Sequence, residues 1–292
     1  MSQLRGLLRT MRPKQWTKNG FVFVPLLFDR KLDDLPYLLA TLAGFGLLCL
    51  ASSVIYLIND LADIEADRAH PVKRSRPLPS GQLSQHIAVA AAVALSVVVV
   101  PLAYLLKPAF ALVIVTYLVT QIAYTFRLKH IVIIDVLTLA SAYLLRVVAG
   151  VELVDVVRFS PWLYIFAGML ALFLGVGKRR QELVQLQHKA NNTRAILDQY
   201  SVSLLDEMIV IVTATSILTY SLYTFSAEGL PENHSMMLTI PFVLYGIFRY
   251  LYLIHVRGEG GAPDEVFLHD RPLQATVMLW GVAVFIVLYL LP

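Results

Sequence analysis

Cysteine is almost absent from this chain. Among 292 residues there is one, Cys49, and it lies inside an apolar run. No disulfide can form within one chain, and no cysteine-based metal site is available. Charge is scarce too: Asp, Glu, Lys and Arg make up 15% of residues, against about 25% in soluble domains. Fixed-period repeats and low-complexity tracts are missing. The N-terminal stretch MSQLRGLLRTMRPKQWTKNG is basic, but it lacks the apolar core and cleavage site of a signal peptide. It reads as a retained cytoplasmic segment.

Apolar residues fill the space that charge leaves. They make up 58% of the chain, and the mean hydropathy is +0.68. Runs near 20 apolar residues are the mark of transmembrane helices. Nine such segments can be drawn, at roughly 19–34, 35–58, 85–106, 109–126, 131–150, 160–177, 206–226, 236–254 and 274–291. The first is the weakest, because Pro25 interrupts it and DRKLDD ends it. The expected fold is an all-α polytopic membrane bundle, a single domain over 1–292.

Orientation follows from the excess of Lys and Arg in cytoplasmic loops. With the N-terminus inside, eighteen of the 24 basic residues fall in inner loops and four in outer ones; Arg146 and Arg249 fall within helices. Nine crossings then put the C-terminus outside. Two inner loops are long, about 59–84 and about 178–205, and long loops are more often functional. KRRQELVQLQHKANNTRAIL, in the second, reads as a helical cap. HVRGEGGAPDEVFLHDRP, after the eighth segment, is glycine-rich.

The stretch YLINDLADIEADRAHPVKRSRPLPSG, from Tyr56 to Gly81, concentrates charge at the end of an apolar helix. At about 100° per residue, with Asn59 at zero, Asp60 falls near 100°, Asp63 near 40° and Asp67 near 80°. Tyr56 falls near 60° and Ser52 near 20°, while Glu65 falls near 240°, on the other side. A helix that continues past Asn59 therefore gathers Asn59, Asp60, Asp63 and Asp67 on one face. Like charges at this spacing repel unless a cation lies between them. Hard oxygen donors suit Mg²⁺, which shares its shell with phosphate oxygens. The rise from Asp60 to Asp67 is about 10 Å, too far for one ion. Asp60 and Asp63 are thus the expected inner pair.

NDLADIEAD, Asn59 to Asp67, resembles the N-D-x-x-D-x-x-x-D motif of the UbiA superfamily of intramembrane prenyltransferases. RPKQWTKN (12–19), the stretch 59–81, YTFRLKHIVIIDVLTLASAYLLRVVAG (124–150) and GKRRQEL (177–183) resemble its decaprenyl-phosphate phosphoribosyltransferase branch. Other members carry a second motif, D-x-x-x-D, where this chain reads KRRQELVQLQ. That departure favours a phosphoribosyl over a prenyl donor.

The resemblance implies Mg²⁺-dependent transfer of 5-phosphoribose from phosphoribosyl diphosphate to a polyprenyl phosphate, with release of pyrophosphate. The product would be a lipid-linked pentose for cell-envelope polysaccharide. Asp60, Asp63, Asp67 and Asn59 would be the metal and catalytic residues. Lys73, Arg74, Arg76, Lys178, Arg179, Lys18, Tyr124, Lys129 and Glu182 would bind substrate. Gln15, Trp16 and Asn19 would line the entrance. Arg127, Arg180, Lys189 and the N-terminal arginines read as ordinary inner-loop charge. Asp135 and Arg146 lie within a helix, where ionisable groups are functional candidates; pairing of Arg146 with Glu152 or Asp155 is the structural alternative. The bilayer is a partner, nucleic acid is not, and a homo-oligomer is open. The competing readings are a prenyltransferase using a prenyl diphosphate and a small acceptor, and a transporter. Transporters often carry inverted repeats with broken helices near the midplane; here the charges cluster at one face and no repeat is seen.

Overall fold

In lipid a backbone has no water to bond, so apolar runs satisfy themselves as helices. The computed structural model describes residues 2–156, 159–187, 195–259, 266–267 and 269–291. Among these there is no strand. Among the described residues eight helices are long and apolar enough to cross a membrane. In chain order the α-helices are α1 Ser2–Thr10, α2 Val24–Phe28, α3 Leu35–Ala62, α4 Ile64–Ala69, α5 Gln85–Leu106, α6 Pro108–Phe126, α7 Ile134–Val154, α8 Pro161–Gln187, α9 Val202–Ser226, α10 Ile240–His255 and α11 Arg271–Phe285. The chain is an integral membrane protein of all-helical fold.

The first apolar segment takes a form that periodicity did not suggest. Pro13–Phe23 is a 3₁₀ helix, followed by the short α2. A 3₁₀ helix rises about 2.0 Å per residue, so eleven such residues and five α-helical ones extend roughly 30 Å, the thickness of a hydrocarbon core. The segment runs along α3. The Trp16 indole donates to Ser53 Oγ at 3.2 Å, and the Asn19 amide donates to Ser52 Oγ at 3.2 Å. Phe23 meets Phe45 with ring centroids 5.6 Å apart.

Helix ends follow local rules. Ser84, Ser201 and Asp270 each accept a hydrogen bond from a backbone N–H three residues on, the usual N-cap geometry. Prolines stand in the first turns of α3, α6, α10 and α11, where a missing N–H costs nothing. Along α5, Val89, Val93 and Val97 form an exposed row at four-residue spacing, with Val97 67% exposed. Water would not tolerate such a stripe; lipid does.

Contacts divide the chain into two compact units. One comprises 1–26, 31–138 and 145–155, and the other 27–30, 139–144 and 156–292. In the first unit Leu57, Ile64, Leu78, Leu83, Ala88 and Ala92 form a buried cluster. In the second, Leu163, Phe166, Tyr220, Tyr223, Met236 and Val284 do so. There the Trp280 indole donates to the Tyr220 hydroxyl at 2.7 Å. Helix α8 carries on through Lys178 to Gln187, so the start of the expected cap is its direct continuation. Residues 188–194 of that cap, with Lys189 and Arg194, lie outside the described residues, as do Arg158 and 260–265 of the glycine-rich loop.

Asp270 ties the second unit together just ahead of α11. It accepts from Leu273 N at 2.8 Å and from Arg249 through both carboxylate oxygens, at 3.2 and 2.7 Å. The Arg249 hydrogen bond holds its carboxyl below the ordinary carboxylate value. Its stabilisation is therefore present at neutral pH and lost as pH falls through that lowered value. Asp270→Ala should remove about 1 kcal/mol or more at pH 7, read as a lower melting temperature in detergent. Asp270→Asn should lack the wild type's further loss in acid.

Candidate functional site

The charged end of α3 is built by a break in the helix. Helix α3 stops at Ala62; Asp63 caps it at φ −96°, ψ 8°, and α4 restarts at Ile64. The helix therefore runs past Asn59 as far as Ala62, and the break at Asp63 ends the straight continuation toward Asp67. The bend has a packing reason: it turns Ile64 into the cluster of Leu57, Leu78 and Leu83. It also redistributes the carboxylates. Asp60 and Asp67 are 1% and 3% exposed. Asp63 points elsewhere, to Lys129 Nζ at 2.6 Å.

Asp60 and Asp67 share one cation. Arg76 Nη1 lies 2.6 Å from Asp67 Oδ2 and 3.5 Å from Asp60 Oδ1. Arg12 also pairs with Asp60 Oδ1, and its guanidinium sits 4.9 Å from the centre of the Tyr56 ring. Lys73 Nζ is 3.7 Å from Asp67 Oδ1. Without a metal, Asp60 thus shares its cation with Asp67, while Asp63 pairs with Lys129. Among the described residues no three of His, Cys, Asp and Glu converge to hold a metal ion. Two hard carboxylates do face one cationic group, and this donor set fits a divalent cation that takes one or two carboxylates and completes its shell with phosphate oxygens. Arg12, Arg76 and Lys73 would then be released to meet the phosphates.

The connecting turn has its own support. His70 Nδ1 accepts from Val72 N at 3.2 Å and Lys73 N at 3.3 Å. Burial, then the nearby Lys73 charge, holds the imidazole below its usual value, and the neutral ring is the form that can accept these bonds. No histidine stood out in the sequence, yet this one shapes the turn that carries Lys73.

The remaining candidates divide by place. Asn59, Lys18 and Tyr124 are half-buried in the first unit, and Arg74 is exposed. Asn19 is buried rather than at an entrance. Its amide reaches Ser52 and Cys49 Sγ, the latter at 3.3 Å. Arg146 is paired with Asn19 and Tyr117, at 2.7 and 3.2 Å; Asp155 takes Lys107 instead. Asp135 is fully buried. In the second unit Glu182 accepts from Arg179 at 2.5 Å, and Arg180 binds Asp206 at 2.5 Å. Arg12 is the site residue that sequence reasoning passed over. The signal was its place in RPKQWTKN, outweighed by the general excess of inner-loop arginine.

Removing Arg76 should leave two buried carboxylates under-compensated. Arg76→Ala is expected to cost about 3 kcal/mol in metal-free protein. Added Mg²⁺ should restore part of that loss, read as a rise in melting temperature larger than in wild type. A variant indifferent to Mg²⁺ would contradict the fit.

The UbiA prenyltransferase family model matches residues 22–269. The chain is 33% identical over 279 residues to the decaprenyl-phosphate phosphoribosyltransferase of Mycobacterium tuberculosis, covering 94% of this chain and 91% of that one. The enzyme of the same name from Corynebacterium glutamicum is 32% identical over 301 residues, covering 98% and 88%. A UbiA homolog from Archaeoglobus fulgidus, solved with GPP and Mg²⁺, superposes with a TM-score of 0.74 at 18% identity, covering 97% and 99%. With the family model matching residues 22–269 and relatives similar over nearly the whole chain, this chain belongs to the UbiA prenyltransferase family.

Proposed function

We propose that the chain transfers 5-phosphoribose from phosphoribosyl diphosphate to a polyprenyl phosphate, releasing pyrophosphate. The observation that carries the reading is the shared cation at Asp60 and Asp67, in a chain similar over nearly its whole length to decaprenyl-phosphate phosphoribosyltransferases. The ribose C1–O bond to the diphosphate breaks, and a C1–O bond to the lipid phosphate forms. The attacking phosphate oxygen is already ionised, so no general base is needed.

Asp60 and Asp67, with Asp63 and Asn59 beside them, would hold Mg²⁺, which supplies Lewis-acid stabilisation of the leaving pyrophosphate. Arg12 and Arg76 offer planar forks suited to phosphate, and Lys73 and Lys129 offer point charges. Exchange of their carboxylate partners for phosphate keeps every buried charge compensated. Lys18, Tyr124 and Arg74 belong to the same reading as substrate contacts. So do Lys178, Arg179 and Glu182, on the sequence resemblance of GKRRQEL. Basic residues where relatives carry a second acidic motif suit a donor that bears a monophosphate as well as a diphosphate. The site would face the cytoplasm, with the N-terminus inside and the C-terminus outside. The lipid-linked pentose would serve cell-envelope polysaccharide synthesis.

Purified protein in lipid, given labelled phosphoribosyl diphosphate, decaprenyl phosphate and Mg²⁺, should move label into the lipid phase. Chelator should abolish the transfer, and Asp60→Ala should lower kcat by about 100-fold or more. Product formed only from a prenyl diphosphate and an aromatic acceptor would overturn the donor assignment and leave the family intact.

A further inference from the structure

The 3₁₀ segment Pro13–Phe23 follows Arg12 directly, so its register decides whether Arg12 reaches Asp60. What fixes that register lies deeper. Arg146 stands on α7 about 18 Å along the helix from Ile134 and is 5% exposed. A charge there is costly unless it meets specific partners. Its Nε donates to Asn19 Oδ1 at 2.7 Å, and its Nη2 donates to the Tyr117 hydroxyl at 3.2 Å. The Asn19 amide is used from both ends, since its nitrogen reaches Ser52 and Cys49 of α3.

One turn farther along α7 the contact changes kind. A Cβ on Gly150 would come within 2.2 Å of the Val22 carbonyl oxygen. The segment is therefore seated on α7 by a charge-assisted hydrogen bond at one turn and by backbone against a bare glycine at the next. Apolar contacts alone would let it slide. A slip of one residue in a 3₁₀ helix moves the chain by about 2 Å, enough to carry the Arg12 guanidinium off the Asp60 carboxylate. A buried polar contact has one register.

We infer that Arg146 is a positioning residue, acting through Asn19 on the register of the first segment and so on the Arg12–Asp60 pairing. The activity arm of this inference rests on the phosphoribosyl reading; the structural arm does not. Cys49, the chain's sole cysteine, is 3% exposed and touches Asn19. Its reaction with a maleimide in the full-length protein in nanodiscs reports whether the segment is seated.

Arg146→Met should speed labelling by about tenfold or more through local opening. Gly150→Ala, which keeps every polar partner, should do the same. Tyr117→Phe should give a smaller increase, and it carries the test if Arg146→Met does not fold. With substrate, Arg146→Met should raise KM for phosphoribosyl diphosphate more than it lowers kcat. That effect should vanish in an Arg12→Gln background. Unchanged labelling in folded Arg146→Met and Gly150→Ala protein would overturn the inference, as would KM effects additive with Arg12→Gln. If wild-type protein shows no phosphoribosyl transfer, labelling alone decides.

Discussion

Buried carboxylates need cations, and the charged end of α3 is organised around that need. Asp60 and Asp67 sit almost out of solvent, with Arg76 between them and Arg12 and Lys73 on either side. An unpaired carboxylate in such a place would take up a proton or unfold its surroundings. The break at Asp63, the turn shaped by His70 and the placement of the first segment all bring a basic residue to an acidic one. The arrangement is also suited to exchange. Under the proposed reaction, each carboxylate that left its basic partner for a divalent cation would free a donor for phosphate, and the net compensation of the site would be preserved.

The support for this cluster comes from local breaks in regular structure. Helix α3 is interrupted where Ile64 turns into the core, and the first segment is wound as a 3₁₀ helix along α3. Regular α-helix in both places would have directed Asp67 and Arg12 differently. These irregularities place charge at the end of an otherwise apolar helix. The cost is met by packing: Ile64 in its cluster, and Gly150 against Val22.

Much of the fold was legible in the sequence, because a membrane demands long uninterrupted apolar runs. Eight of the nine segments are long helices among the described residues, and all but α8, which runs on to Gln187, end within a few residues of their expected bounds. The first was seen as apolar, but its 3₁₀ winding was not, since Trp16 and Asn19 find their partners on α3 and α7 far along the chain. The acidic residues of NDLADIEAD could be read as a site, and Glu65 does lie apart, exposed beside Arg68. Their pairing could not be read. Helical angles assume a continuous helix, and neither proline nor glycine marks the bend at Asp63. Arg12 was hidden for a related reason: its partner is 48 residues away, and inner loops are rich in arginine whatever their role. Arg146 has an amide and a hydroxyl among its partners, groups that charge counting does not look for.

If the proposed reaction holds, the ion-paired cluster opens jointly to a divalent cation and a diphosphate. Mn²⁺ binding to the purified protein, followed by electron paramagnetic resonance with and without pyrophosphate, tests it directly. Mn²⁺ should bind weakly alone and at least about tenfold tighter with pyrophosphate, with both lost in Asp60→Ala. Equal Mn²⁺ affinity in the presence and absence of pyrophosphate would contradict it.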